Sequence, residues 1–539
     1  MFLALALALI PGAAVAQTYQ FRVDFTQTGE PVNRALFSLV NFQHLWADYG
    51  PRALETFRAL KPQGSQARTE TLIDQMEPVN DDGDPNHFTW SGFRTDRMYR
   101  FVNDKAGTFF SAMLSEGMEP VLLLCYNTPW LAAGGQLNEP PTDLKEWAEF
   151  AAAVVAREPR VKYLEIWNEP SGQGVYWKGS MDTYYQLFNT VADRIHRDYP
   201  GVKVGGPSVL GGQTVAMREF IVQCGSRADY FTIHLYDDDP YLTTKKLKNW
   251  NQLIQKLTGK TGPQLLVTEG DDSRISDPAE KLRYLLVRQF ELLALQDQVL
   301  GFHQFSLPEY EVYGLVRPDG SPVDKNYWAY WLMRDLRGNL VASQAQKDGA
   351  PLSTNARNVA LPAYVAATRD GDNLQAVLLL NDPASPPGKV VVQLTLPAVP
   401  TARQLRIDRV NGGEREVVQF RRLEPGQTSL SLELSSRFGD AFSVALSPVA
   451  GSLNLQTSAT ATTVLNGTLE VATGKLWLHT LGPLGELLQP GQDLGTVSVA
   501  PGASTKLSLG VQQNSPLQTR LVVLRGPANA ILAQSLPFR

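Results

Sequence analysis

Cysteine is scarce in this 539-residue chain: there are two, Cys125 and Cys224. No C-x-x-C pair or Cys/His spacing is present, so the sequence offers no ligand set for a zinc site and no metal is expected. A small scaffold held by several disulfides is excluded as well. Cys125 sits in the apolar run Val121-Leu122-Leu123-Leu124-Cys125 and reads as a buried core thiol. Nothing in the sequence pairs it with Cys224. Blocks of Lys or Arg are also missing, and the net charge is −5. A nucleic-acid partner is therefore not expected, because such binding needs clustered positive charge to displace counterions. Beyond the N-terminus, no stretch approaches the ~18 apolar residues of a spanning helix.

The N-terminus itself has an apolar core from Phe2 to Ile10, followed by Ala14-Val15-Ala16. That small-x-small pattern is what signal peptidase reads, although the usual basic n-region is absent. Residues 1–16 are expected to be a signal peptide, and the mature protein to be secreted or periplasmic with no membrane span. What remains is ordinary globular material, 43% hydrophobic and 19% charged. It is long enough for two to four domains.

From about residue 36 to 337, short apolar runs alternate with amphipathic segments. The runs fall at 36–40, 121–125, 163–167, 202–205, 230–235, 265–268 and 301–305, with a less apolar candidate at 65–68. Runs of this kind suit parallel strands buried on both faces. Between them, Leu144, Trp147, Ala151 and Val154 recur at helical spacing, as do Tyr184, Leu187, Phe188, Val191 and Ile195. Asp277-Pro278-Ala279-Glu280 has the N-cap, first-turn proline and glutamate that open a helix. Eight β-then-α units fit an α/β fold of the (β/α)8 TIM-barrel type, assigned to residues 17–345. An open doubly wound sheet is the alternative that periodicity leaves. After residue 345 the helical pattern stops. Asp370-Gly371 and Asn411-Gly412 punctuate alternating segments, as hairpin turns do. Residues 346–448 are expected to form a β-sandwich. Residues 449–539, with Asn466-Gly467, are expected to form a small Ig-like β-sandwich.

The chemistry concentrates at strand ends. Tyr163-Leu164-Glu165-Ile166-Trp167-Asn168-Glu169-Pro170 is a strand stopped by proline, and Leu265-Leu266-Val267-Thr268 ends in Glu269. In a TIM barrel the C-terminal strand ends face the active site. Two glutamates there can face each other across a sugar. With carboxyls about 5 Å apart, one can attack the anomeric carbon while the other protonates the leaving oxygen.

The run continues as Tyr176-Trp177-Lys178-Gly179, then Tyr184-Tyr185-Gln186-Leu187, then Lys203-Val204-Gly205-Gly206-Pro207-Ser208. Together with the Asn-Glu-Pro strand it resembles clan A of the glycoside hydrolases, most closely family 39. That family includes β-xylosidases, α-L-iduronidases and bacterial exopolysaccharide hydrolases. The likeness covers roughly residues 36–337. It implies a retaining O-glycosidase acting on an oligo- or polysaccharide, without a cofactor. Glu169 is then the acid/base and Glu269 the nucleophile. Asn168 matches the asparagine that binds the sugar 2-hydroxyl. Arg68 matches a second-strand arginine that touches the nucleophile and keeps it ionised. His234 and Tyr236 match a sixth-strand pair near the nucleophile.

One departure stands out. The family's eighth strand commonly carries a tryptophan that floors the sugar site. Here the stretch is Gly301-Phe302-His303-Gln304-Phe305-Ser306-Leu307, and His303 lies nearest that place. Trp130 and Trp177, in loops after the third and fourth strands, are further candidates to line the sugar site. Asp81-Asp82-Gly83-Asp84 and Asp237-Asp238-Asp239 lack EF-hand spacing and read as solvated loops. A carbohydrate-binding pseudoenzyme and a transglycosylase remain alternatives on the same barrel. The sequence does not name the sugar or separate chain-end from mid-chain cleavage.

Overall fold

The computed structural model describes residues 18–41, 51–71, a few positions between 77 and 88, and most of 113–448, along with the strands of 453–534. The expected signal peptide lies outside the described residues, as do Asp81–Gly83 and Asp237–Asp238.

Eight parallel strands close into a barrel. They are β2 (Ser38–Val40), β3 (Gln66–Thr71), β4 (Glu119–Leu124), β5 (Tyr163–Ile166), β6 (Lys203–Leu210), β7 (Tyr230–Tyr236), β8 (Leu265–Asp271) and β9 (Val299–Gln304). β2 pairs with β9, Ser38 opposite His303, so no edge is left open. All eight expected strands are present. The open-sheet alternative is excluded by that closure.

The helices form where the apolar spacing predicted them. In the helix Leu144–Arg157, Asp143 caps the backbone amides of Lys145 and Glu146, while Trp147, Ala151 and Val154 are buried. The helix Met181–Asp198 buries Tyr184, Leu187, Phe188, Val191 and Ile195 on one side. Asp277 accepts from the Glu280 amide at 2.8 Å, with Pro278 in the first turn of the helix Pro278–Leu293. Cys125 and Cys224 are both buried thiols and are not joined in a disulfide.

A mixed sheet follows the barrel. Across the sheet its strands run Glu414–Leu423, Arg403–Asn411, Ala441–Pro448, Asn373–Leu380, Ala363–Asp370, Asn339–Lys347, Tyr19–Pro31, Gly388–Thr395 and Ser429–Ser436. The turn signals act as read: Asp370 pairs with Asn373 across a tight turn in which Gly371 takes φ 59°. The strand Tyr19–Pro31, β1, corrects the domain boundary. It was expected in the barrel segment. Instead it pairs antiparallel with Asn339–Lys347 (β10) and parallel with Gly388–Thr395 (β14). β10 itself straddles residue 345. Tyr19, Phe21, Val23 and Phe25 point into the sheet's own core, with Leu378, Val392, Ile407 and Val444. That core is separate from the barrel cluster around Trp147, Trp167 and Tyr184.

Candidate active site

The end of β5 is held by its surroundings. The Tyr184 hydroxyl donates to the Ile166 carbonyl at 2.9 Å. The buried Trp167 indole donates to the Tyr176 carbonyl at 2.8 Å and meets Trp177 edge-on at 4.7 Å. Trp167 and Glu169 then adopt left-handed φ values of 68° and 46°. Side chains other than glycine pay a conformational cost there, and the packing around Trp167 imposes it. The result turns Asn168 and Glu169 out of the strand direction and onto the barrel mouth.

Glu269 sits at an irregularity in β8. Ile233 pairs with Val267, but the next residue, His234, pairs with Glu269, so Thr268 is an extra residue on that strand. Such a bulge re-aims the side chain that follows it. Gly270 is required at the next position. A Cβ there would stand 2.4 Å from the Phe302 ring and 3.0 Å from the Leu235 carbonyl oxygen.

These elements bring the expected pair together. One carboxylate oxygen of each of Glu169 and Glu269, with a ring nitrogen of His234, lie within 4.8 Å of one another. His234 Nδ1 is 2.7 Å from Glu169 Oε1 and 3.5 Å from Glu269 Oε2. Both oxygens of Glu269 take hydrogen bonds, from Arg68 Nη1 at 2.5 Å and from the Tyr236 hydroxyl at 2.6 Å. Burial, then the Glu269 charge, raises the Tyr236 pKa well above its ordinary value, so this hydroxyl stays a donor. Arg68 Nη2 donates to Asn168 Oδ1 at 3.0 Å, which turns the amide so that its NH2 faces away from the guanidinium. Glu169, His234 and Glu269 carry donor atoms that could hold a metal ion. Glu269 already accepts on both oxygens, however, and Arg68 supplies the positive charge beside it. The arrangement suits proton transfer and covalent chemistry at two close carboxyls.

Arg68, Asn168, Glu169, His234, Tyr236 and Glu269 thus converge. Trp177 does not join them. It is 1% exposed, with its indole N–H on the Ser180 carbonyl, and it packs between Trp167 and Tyr184. Its loop folds back into the core, so it cannot line a sugar. His303 is also corrected. It is fully buried inside the barrel, its Nε2 3.1 Å from Gln66 Oε1. Burial and the Arg68 charge push its pKa down to about 3, against a smaller opposing pull from Glu165, so it is a neutral core imidazole. Trp130 is half-buried, donating to the Glu77 carbonyl at 2.7 Å and packing near Phe150.

Sequence reasoning missed three features. Glu165, fully buried on β5, binds Arg68 from the side opposite Glu269. Phe305, just after β9, meets the Tyr236 and Tyr313 rings edge-on at 6.0 and 5.3 Å, an aromatic trio beside Glu269. Phe305 stands two residues past His303, in the same eighth-strand stretch that lacks the tryptophan. Tyr126, after β4, is hydrogen-bonded to Asn168, and its ring lies parallel to Tyr176 at 6.4 Å.

Comparison with known proteins bears on the whole arrangement. A family model described as glycosyl hydrolases family 39 matches residues 89–259, which contain Asn168, Glu169, His234 and Tyr236. A β-xylosidase of Caldicellulosiruptor saccharolyticus is 22% identical over 344 residues, covering 56% of this chain and 68% of that protein. The crystal structure of a monomeric β-xylosidase from Caulobacter crescentus shares the fold, with a TM-score of 0.60 at 18% identity over 80% of this chain and 99% of that one. A bacterial orthologue of human α-L-iduronidase superposes with a TM-score of 0.62 at 13% identity, over 96% of this chain and 99% of that one.

Proposed function

From a chain that is a glycoside hydrolase, most like family 39 of clan A, we propose a retaining O-glycosidase that cleaves an oligo- or polysaccharide by double displacement. One observation carries this reading: the Glu169 and Glu269 carboxyls approach within 4.8 Å. Retaining enzymes hold their two carboxyls roughly 5–5.5 Å apart, whereas inverting enzymes need ~6.5–9.5 Å to admit a water.

The two carboxyls have different surroundings, and the roles follow from them. Glu269 is ringed by donors, Arg68 and Tyr236, the setting an anionic nucleophile needs. It attacks the anomeric carbon and forms a glycosyl ester. Glu169 has no Arg or Lys partner among the described residues and faces the His234 imidazole. It gives its proton to the leaving oxygen, then takes one from the water that hydrolyses the ester. Asn168, its oxygen fixed by Arg68, presents an N–H to the sugar 2-hydroxyl. The aromatic trio of Tyr236, Phe305 and Tyr313 provides apolar faces beside the nucleophile. The matched relatives' name makes aryl β-xylosides the first substrates to try. The apolar segment Phe2–Ile10 and Ala14-Val15-Ala16 support action outside the cytoplasm. N-terminal sequencing of the exported protein tests that part, with Gln17 as the expected first residue.

The test of mechanism is product NMR on the first turnover of an aryl glycoside, together with trapping by a 2-deoxy-2-fluoro glycoside. Retention at the anomeric carbon and a label on Glu269 are expected. A first-formed product of inverted configuration would overturn the reading.

A further inference from the structure

Glu165 is a fully buried carboxylate beside the site, and this mechanism leaves it unused. We propose that it is a positioning residue that sets the strength of the nucleophile by sharing the Arg68 charge. This inference rests on Glu269 being that nucleophile.

The geometry is a buried row of three ions. Arg68 Nε donates to Glu165 Oε2 at 2.6 Å, and Arg68 Nη1 donates to Glu269 Oε1 at 2.5 Å. Glu165 and Arg68 are fully buried, and the Glu269 side chain is 8% exposed. Water therefore screens little of their interaction. One guanidinium faces two carboxylates, so neither has it alone. Glu165 is a strong competitor. Its other oxygen accepts from the Ser208 hydroxyl at 2.6 Å. Burial opposes its charged form, but Arg68, His234 and the Ser208 hydrogen bond outweigh burial and hold its pKa below the ordinary range. Ser208 is held in turn by Thr232, whose hydroxyl accepts the Ser208 amide at 2.8 Å, and it takes a left-handed φ of 55°.

A nucleophile wholly neutralised by arginine is a weak one, because attack on carbon withdraws its charge from the cation. A fixed anion on the far side of Arg68 reduces that loss. The same anion also fixes the guanidinium plane, so that Nη1 reaches Glu269 while Nη2 reaches Asn168.

Glu165→Gln tests this with little change of shape. The glutamine oxygen can keep Arg68, and its NH2 can donate to Ser208, whose hydroxyl rotates toward the Trp167 carbonyl, 3.4 Å away. With a nitrophenyl glycoside that the wild type turns over, kcat/KM should fall about tenfold or more, since it reports formation of the ester. Hydrolysis of the ester should be unchanged or faster, because a stabilised carboxylate leaves more readily. The acid limb of the kcat/KM profile should move to lower pH, since Glu269 then has the Arg68 charge alone. Ser208→Ala should move that limb the other way, because a Glu165 without its hydroxyl donor draws harder on Arg68. Thermal unfolding is recorded for both. If Glu165→Gln does not fold, Ser208→Ala decides, and an unmoved limb overturns the proposal. A folded Glu165→Gln whose limb stays put, and whose ester formation and hydrolysis fall together, overturns it as well and leaves Glu165 a purely structural ion. Trapping of the wild type by the 2-fluoro glycoside separates the two levels. A label on Glu269 with an unmoved limb sinks this inference alone, and no label on Glu269 sinks the retaining mechanism with it.

Discussion

His234 Nδ1 lies 2.7 Å from Glu169 Oε1, closer than to Glu269 Oε2 at 3.5 Å. The resemblance places this histidine near Glu269, and its shorter contact is to Glu169, the carboxylate we propose as the acid/base. Its imidazole is fully buried, so the ring orientation is fixed by packing. His234→Ala should leave Arg68 and Tyr236 on Glu269 while freeing the Glu169 carboxyl to swing. Loss of a positioned proton-transfer group costs ~10²–10⁴-fold, and loss of its support should cost the lower part of that range. The loss should be larger for glycosides with poor leaving groups than for activated ones. Equal losses across a leaving-group series would count against the assignment.

The roles of the two glutamates separate by stereochemistry. Glu269→Gly should abolish turnover, and azide should restore cleavage of an activated glycoside with inversion, because the anion enters from the vacated face. Glu169→Ala should still form the ester from activated substrates but hydrolyse it slowly. Azide should then give a product of retained configuration. Product NMR distinguishes the two outcomes, and exchanged outcomes would exchange the roles.

Tyr236→Phe removes one of the two donors on Glu269 and nothing else of comparable size. A hydrogen bond to a charged group contributes about 1.5–3 kcal/mol. The expected fall in kcat/KM is therefore roughly 10- to 100-fold, with the melting temperature little changed. A variant at wild-type rate would show that Arg68 alone suffices.

Trp177→Ala should be a stability variant. The ring fills the space between Trp167 and Tyr184, and truncating a buried tryptophan costs about 3–5 kcal/mol. Denaturant unfolding should show that loss, while KM for the folded fraction changes little. A large rise in KM with unchanged stability would restore Trp177 to the sugar site.

His303 gives a pH dependence. Its folded pKa is pushed down to about 3, from 6.5 in the unfolded chain. A depressed histidine contributes stability that is fully present above the unfolded value and lost as pH falls through the folded one. Between pH 6.5 and about 3, the unfolded chain gains a proton that the fold refuses, a difference on the order of 5 kcal/mol across the window. His303→Gln can keep a donor toward Gln66. It should flatten the stability curve over that range relative to wild type, and chemical denaturation at pH 7.5 and pH 4.5 measures the difference. Parallel curves for the two proteins would refute the assignment.

The barrel was legible because its strands are buried on both faces and leave unbroken apolar runs. β4, with Val121-Leu122-Leu123-Leu124 all buried, is the clearest case. Glu169 and Glu269 were legible because a carboxylate at the end of such a run has little structural reason to be there. Glu165 was harder to see. Its signal was a lone glutamate inside an apolar strand, a costly position without a buried cation, but the cation, Arg68, comes from a strand almost a hundred residues earlier. Trp177 misled because a tryptophan beside Gly179 looks like loop. No local pattern reports that the loop folds inward. β1 did carry its evidence in the alternation of Tyr19, Phe21, Val23 and Phe25. What the pattern could not supply was the partner, which lies more than three hundred residues away.

That strand has a consequence for how the protein is made. β1 is the first element described, and the strands that flank it, β10 and β14, end at Lys347 and Thr395. During synthesis it emerges first and waits while the whole barrel is translated, its aromatic face uncovered until the flanking strands appear. At roughly 5–20 residues per second, that wait is some tens of seconds. Most neighbouring barrel strands follow one another in sequence, but closing this sheet, like closing the barrel between β2 and β9, joins distant parts of the chain, a step of high contact order and correspondingly slow. The sheet therefore works as a clasp. Trimming the trailing domain would strip the cover from Phe21 and Phe25, and trimming the leading strand would uncover Val392 and Val444 on the remaining sheet.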